Sequence, residues 1–239
     1  MGIYEFAGCV VSYEPLYGLL RRRMETYRSD TERQPDITLD GTKEDYEKLR
    51  KQYPHLSIEE CEYSCAGAEF YMKLLKHQGF MIHASAVEKE GKAYLFSAPS
   101  GTGKSTHAQL WRQTFKGEPI RIINDDKPAV CLQNGVFYAC GTPFSGKTDK
   151  NENRKAPIQG LCMLHRGKTN KIQKITSGEA LPLILPQTLF YGDEEETNLL
   201  LSFLDRFLQS VPVYKMECTM EEAAKTAYFL GNCETSPQS

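Results

Sequence analysis

Two hydrophobic rhythms run through the chain. Residues 3 to 13 alternate apolar and polar positions as a strand does, and residues 15 to 28 follow with helical spacing. Residues 35 to 40 predict a short strand. Residues 43 to 52 predict a charged helix, and residues 64 to 77 a longer one with Ala66, Phe70, Leu74 and Leu75 on one face. At Phe80 the texture changes. Residues 80 to 87 predict a strand, 88 to 92 a turn and 93 to 97 a second strand; a connection that short makes the two antiparallel neighbours. More strands are expected at 121–124, 128–132, 135–140 and 161–165, with Asn134-Gly135 as a hairpin turn. The last third reads as an apolar run from Ala180 to Phe190 broken by Pro182 and Pro186, then a helix over 197–208 striped with Leu200, Leu201, Leu204 and Leu208. A strand at 212–218, a helix at 220–230 and a polar tail at 234–239 complete it. The expected fold is α/β (α+β): a mixed, strand-rich sheet with helices in both terminal parts. Its organisation reads as an N-terminal α/β extension (1–79) packed on a core (80–233), with a tail (234–239).

Between the strand at 93–97 and the next helical stretch lies Ala98-Pro99-Ser100-Gly101-Thr102-Gly103-Lys104-Ser105-Thr106. This fits the phosphate-loop pattern G-x-x-x-x-G-K-[ST], with Ala98 in place of the first glycine. The strand–loop–helix context separates such a loop from a chance match. Gly101 and Gly103 let the backbone curl so that successive N–H groups point at phosphate oxygens. The helix starting near Lys104 adds its free donors and the positive end of its dipole. Lys104 supplies charge to the outer phosphates and Ser105 a hydroxyl for magnesium. Ser100, Gly101, Thr102, Gly103, Lys104, Ser105 and Thr106 are therefore the expected nucleotide-binding residues, and ATP with Mg2+ the expected cofactors.

Composition narrows the rest. Apolar residues make up 40% and charged residues 25%, enough for a real core, and the net charge of −2 gives no basic surplus for nucleic acid. Arg21-Arg22-Arg23 reads as a solvated helix face. No apolar run long enough to span a membrane and no secretory leader pattern is present, so the expectation is a cytoplasmic protein. Eight scattered cysteines form no C-x-x-C pair, and Cys61 and Cys65 have no matching pair at finger spacing; Cys9, Cys131, Cys140, Cys162 and Cys218, in strand-like apolar stretches, read as small buried hydrophobes. The oligomeric state is left open.

Asp125-Asp126 follows the apolar strand Arg121-Ile122-Ile123, where a carboxylate at a strand end would face the phosphate site. One aspartate can serve the metal while the other takes a hydroxyl proton. His83, on the strand that pairs with the one feeding the loop, could reach Asp125 or the outer phosphate.

The order His83-Ala84-Ser85-Ala86, turn, strand, Ser100-Gly101-Thr102-Gly103-Lys104-Ser105-Thr106, strand, Asp125-Asp126 resembles the HPr kinase/phosphorylase and phosphoenolpyruvate carboxykinase superfamily. A weaker likeness to small HPr-kinase-like proteins extends through Gly141-Thr142-Pro143-Phe144-Ser145-Gly146-Lys147, Ala156-Pro157-Ile158 and Pro212-Val213-Tyr214. The resemblance implies a P-loop phosphotransferase. Gly101 to Thr106 would bind ATP phosphates, Ser105 and Asp126 would hold Mg2+, and Asp125 would be the base, oriented by His83. Lys147 would clamp a phosphate and Arg154 would steady transition-state charge. The implied acceptor is a Ser or Thr hydroxyl on a peptide or protein, with a small hydroxy metabolite as the close variant. A non-catalytic ATP sensor in a maturation complex is the competing reading. The first 79 residues match no motif of that family.

Overall fold

The computed structural model describes residues 1–189, 193–219 and 223–233, with side chains through 228. The N-terminal part contains β1 (Gly2–Phe6), β2 (Cys9–Tyr13), α1 (Gly18–Met24), β3 (Ile37–Thr38), α2 (Lys43–Gln52) and α3 (Ile58–Leu74). The stretch expected as one strand is thus a hairpin. It turns at Ala7-Gly8, both with positive φ (53° and 80°), which a continuous alternation pattern conceals. α3 begins six residues before the expected start. Ser57 and Glu60 form a capping box there, with Ser57 Oγ accepting from Glu60 N and the Glu60 carboxylate from Ser57 N.

The core follows as β4 (Gly79–Met81), β5 (Ala84–Lys89), β6 (Lys92–Ser97), α4 (Lys104–Thr114), β7 (Arg121–Asn124), β8 (Ala129–Gln133) and β9 (Val136–Cys140). Next come β10 (Lys155–Arg166), β11 (Lys171–Lys174), α5 (Ser177–Ile184), α6 (Glu194–Ser210), β12 (Val213–Cys218) and α7 (Ala223–Cys233). The first residues of the expected helix at 220–230, Phe190 of the expected apolar run and the tail lie outside the described residues. β11, with the polar sequence Lys-Ile-Gln-Lys, was not among the expected strands. No helix among the described residues is long and apolar enough to cross a membrane.

The fold is a mixed α+β architecture. One sheet runs β4-β8-β9-β10-β6-β5-β7, with β12 on β10 and β11 on β12; a small sheet holds β1-β2-β3. β5 and β6 pair antiparallel, as the short turn requires. β10 runs parallel to both β6 and β12. β7 is antiparallel to β5, so it runs in the direction of β6. The C-terminal ends of β6, β7, β10 and β12 therefore converge on one edge, together with the start of β5. In open sheets that edge is where loops gather and ligands bind.

Three apolar clusters hold the layers. On one face of the sheet Leu95, Leu161, Met163 and Val213 meet Ala180, Ile184, Leu200, Leu204 and Phe207 of α5 and α6. On the other, Phe96, Cys162, Leu164 and Met216 meet Ala108 and Trp111 of α4 and Ala224 and Ala227 of α7. The third cluster joins Phe6, Leu20, Phe70 and Leu74 to Met81, Ala129, Cys140 and Phe144, so apolar packing is continuous between the first 79 residues and the core. Trp111 is fully buried against Tyr94, Phe96 and Phe115, and truncating it would cost about 3–5 kcal/mol.

Candidate functional site

The phosphate loop leaves β6 at Ser97, whose hydroxyl donates to the His83 carbonyl at 2.8 Å. Ala98 is buried in the apolar cluster under α4, so its methyl group packs inward where the pattern usually has glycine. Gly101 and Gly103 have φ of +78° and +120°. A Cβ at either would meet nothing within 4 Å, so the demand for glycine is one of dihedral angle, and the loop face stays open. Gly103 caps α4 without a side chain, which leaves the first N–H groups of the helix pointing outward.

Lys104 curls back over its own loop. Its Nζ donates to Ala98 O at 2.8 Å and Pro99 O at 3.4 Å, and the residue is buried. Burial pulls its pKa down, against the opposing charges of Asp126 and Asp125. A second cation joins the loop: Arg166, at the end of β10, donates from Nη2 to Gly101 O at 2.6 Å and from Nε to Thr102 O at 3.2 Å. Sequence reasoning missed Arg166. Its place at the end of an apolar strand, just before Gly167, is the signal that could have found it.

Beneath the loop, His107 of α4 is buried against Phe96, and its Nε2 accepts from Trp111 Nε1 at 3.2 Å. That bond fixes the neutral tautomer. Burial lowers the His107 pKa to about 4.

The facing wall begins with an interruption. Ile82 and His83 fall between β4 and β5, and the His83 amide bonds Gln187 O at 2.6 Å instead of a neighbouring strand. This sends the His83 ring over the converging edge. Its Nε2 lies 3.4 Å from Asp126 Oδ1 and its Nδ1 3.2 Å from Gln187 Oε1. Asp126 also pairs with Lys127. Desolvation pushes the Asp126 pKa upward, but hydrogen bonding to His83 and the Lys127 charge outweigh it and hold the carboxyl at about 2.

Asp125 is buried and held differently. Ser85 Oγ donates to its Oδ1 at 2.7 Å, and Thr148 Oγ1 to its Oδ2 at 2.9 Å. The contact expected between His83 and Asp125 is thus found at Asp126. Both aspartates sit at the end of β7, in a turn shaped by Asn124, whose Oδ1 accepts from the amides of Asp126 (3.0 Å) and Lys127 (2.8 Å).

Lys147 reaches this corner only as a neighbour. It lies exposed on a short turn between Gly146 and Thr148. Gly146 has φ of +67°, and a Cβ there would come within 2.7 Å of the Asp126 carboxylate. The N-terminal part braces this turn. Arg23 Nη2 donates to Gly146 O at 2.7 Å, Arg23 Nε lies 3.2 Å from Asp149 Oδ1, and Gly146 N donates to Tyr63 OH at 2.9 Å. The Arg23 guanidinium stacks 4.7 Å over the Tyr63 ring. Arg23 is therefore a packed brace and not a solvated charge.

Arg154 does not join the site. Its guanidinium embraces Glu88 with contacts of 2.6 and 2.9 Å. Glu88 pairs in register with Arg121, at the opposite end of β7 from Asp125. Strand direction carries Arg154 away although it is close to Lys147 in sequence.

Two recesses flank the loop. One, of about 580 Å3, is lined by Pro99, Ser100, Gly101 and Thr102 on the loop, His165 and Arg166 on β10, and Leu183 and Gln187 in and after α5. The other, of about 450 Å3, is lined by Thr106, His107 and Leu110 of α4 with Gly167 and Thr219. Lys104 Nζ lies at Ala98 and Pro99, on the side of the first recess; in a loop of this pattern the lysine meets the outer phosphates, so the outer end of a phosphate chain would lie toward that recess. The residues fit ATP and Mg2+: the loop is free of side chains over its glycines, and Asp126 stays ionised at any working pH. Among the described residues no group of three or more His, Cys, Asp or Glu could hold a metal ion.

No protein-family model matches the chain, and no curated protein matches it. Among solved structures it is similar to the Hpr(Ser) kinase/phosphatase from Coxiella burnetii, with a TM-score of 0.37 and 10% sequence identity, over 64% of this chain and 95% of that one. A likeness of that size carries no argument about activity, which rests on the residues themselves.

Proposed function

We propose that the protein is an ATP- and Mg2+-dependent kinase that transfers the outer phosphate to a hydroxyl of a peptide or protein. The observation that carries this reading is the meeting of a phosphate loop with two differently held aspartates at one sheet edge. A nucleotide sensor needs the loop and one carboxylate, and it has no use for the second.

Bound ATP and Mg2+ would supply the activated phosphoryl group and the charge neutralisation its transfer needs. Lys104 and the free amides of α4 would hold the phosphates in place. Ser105 and Asp126 suit the metal, since Asp126 binds protons too weakly to be a good base. Asp125 suits the base. Thr148 already donates a hydroxyl hydrogen bond to Asp125 Oδ2, and an acceptor hydroxyl taking that position would have its proton directed at the same oxygen. His83, held by Gln187, would orient Asp126 rather than Asp125, and Lys147 would lie within reach of an incoming phosphate. The absence of Arg154 from this edge leaves Arg166 as the arginine best situated to steady charge.

The test is direct. With ATP labelled in its outer phosphate and magnesium, label should move to a serine-containing peptide and be located there by mass spectrometry. Tight ATP binding with no transfer to any hydroxyl peptide or hydroxy metabolite would favour the sensor.

A further inference from the structure

The recess on the outer-phosphate side of the loop continues into a third one, of about 450 Å3, and the two share His165 and Arg166. The register of β10, β12 and β11 explains the join. Met163 pairs with Lys215 and Lys215 with Gln173; His165 pairs with Glu217 and Glu217 with Lys171. These six positions lie in two rows on one face of the sheet. The same face is covered by α5 and α6 at Leu161 and Val213, and among the described residues it is open beyond Met163. The opposite face, with Leu164, Met216 and Ile172, is packed under α4 and α7. A groove therefore starts beside the loop at Gln187 and crosses the uncovered sheet face.

Its two parts differ in chemistry. The loop end offers Met163, Pro182, Leu183 and Pro186. The far end presents Lys171 and Lys215, both exposed, and Arg166, bonded to the loop, stands between the two parts. Among the described residues Glu217, its Oε1 accepting from Lys168 N at 3.2 Å, is the one carboxylate lining this recess, against the three cations, and Glu179 is turned to the cap of α5, where it accepts from Thr176 N at 2.9 Å. His165 Nε2, between the two parts, is buried without a hydrogen-bond partner.

From this juxtaposition we infer that the acceptor is an acidic peptide segment, its hydroxyl residue beside the loop, an apolar neighbour against Leu183 and Pro186, and its carboxylates on Lys171 and Lys215. The inference rests on the kinase reading above and names the acceptor class for that site. A cationic groove wall favours the oppositely charged partner through solvent-exposed pairing and steering, both of which salt weakens.

The probe is a fluorescent peptide with a central serine flanked by leucines and ended by glutamates, compared with its counterpart ended by lysines, on the full chain with ATP and magnesium. The glutamate peptide should bind about tenfold more tightly at about 50 mM salt, and the preference should shrink at about 0.5 M. Lys171→Gln with Lys215→Gln should remove the preference while ATP affinity, measured by titration on the same protein, stays unchanged. Equal binding of the two peptides, or a preference that survives the double substitution, overturns the acidic assignment. Leu183→Asp, which leaves the cations in place, should weaken both peptides; no change would overturn the apolar half of the groove. The two readings fail separately. Transfer to peptides regardless of their charge sinks the groove and spares the kinase, whereas acidic-peptide preference without ATP binding sinks the kinase alone.

Discussion

The phosphate loop is nine consecutive residues, six between β6 and α4 and three in the first turn of α4, and its shape comes from two positive-φ glycines and one lysine folded back on the carbonyls of Ala98 and Pro99. The wall opposite is assembled from distant pieces: His83 and Ser85 at the start of β5, Asp125 and Asp126 after β7, Thr148 on a later turn, Gln187 after α5, and Arg23 and Tyr63 from the N-terminal part. The first wall is mostly local, with Arg166 of β10 as its brace from a distant part of the chain. The second exists only once the whole molecule is folded. Damage to the loop should therefore remove nucleotide binding, while damage to the braces of the second wall should leave magnesium-free nucleotide binding intact and slow phosphoryl transfer.

Lys104→Ala probes the first wall and should have the largest effect among these comparisons. Removing the ammonium proposed to hold the phosphates should weaken ATP binding about a hundredfold or more, read by calorimetric titration. Thermal stability should change little, because the lysine is held only by carbonyls of its own loop.

Acid should separate the walls. The His107 pKa is depressed to about 4 from an ordinary 6.5, so the unfolded chain binds the proton more readily. The stability this provides is present above about pH 6.5 and lost as the pH falls toward 4, roughly 3 kcal/mol in all. The Asp126 carboxyl is also depressed, to about 2, so its contribution persists down to about pH 4 and is lost only as the pH falls through 2. Melting temperature should therefore decline between pH 6.5 and 4, and His107→Phe should flatten that decline. An unchanged slope would remove His107 as the cause.

That contrast also explains what was legible in the sequence. The loop, the antiparallel hairpin before it, the Asn134-Gly135 turn and Asp125-Asp126 are encoded by neighbouring residues, and each is found where local pattern predicts. The break at Ile82-His83 was hidden, because an unbroken apolar run looks like one strand whatever its amides bond to. Thr148 and Gln187 meet the site through tertiary packing that no spacing announces. Arg23 stands in a run of arginines that reads as solvent-facing, yet its side chain is 8% exposed and inserts between Tyr63 and Asp149. Arg154 fails in the opposite sense: the resemblance implies a role, and the course of the chain into β10 carries it to Glu88 instead.

Two smaller effects sharpen the second wall. Gly146→Ala places a methyl group within 2.7 Å of the Asp126 carboxylate in a positive-φ conformation, and should cost about 2 kcal/mol of stability. It should also weaken magnesium-dependent binding while magnesium-free nucleotide binding persists. Arg23→Met removes the brace from the N-terminal part. A loss of about 1 kcal/mol in stability and a severalfold slower transfer at unchanged ATP affinity are expected. Lysine at 23 should not restore the rate, since it cannot stack on Tyr63 and reach both Gly146 and Asp149 as the guanidinium does.

The central claim is that the loop binds and the aspartate corner transfers. Asp125→Asn tests it when ATP affinity and label transfer to a serine peptide are measured on the same preparation. The account predicts ATP affinity within a fewfold of the parent and transfer reduced by about 10²–10⁴-fold. Transfer at the parent rate, or loss of ATP binding together with transfer, would contradict it.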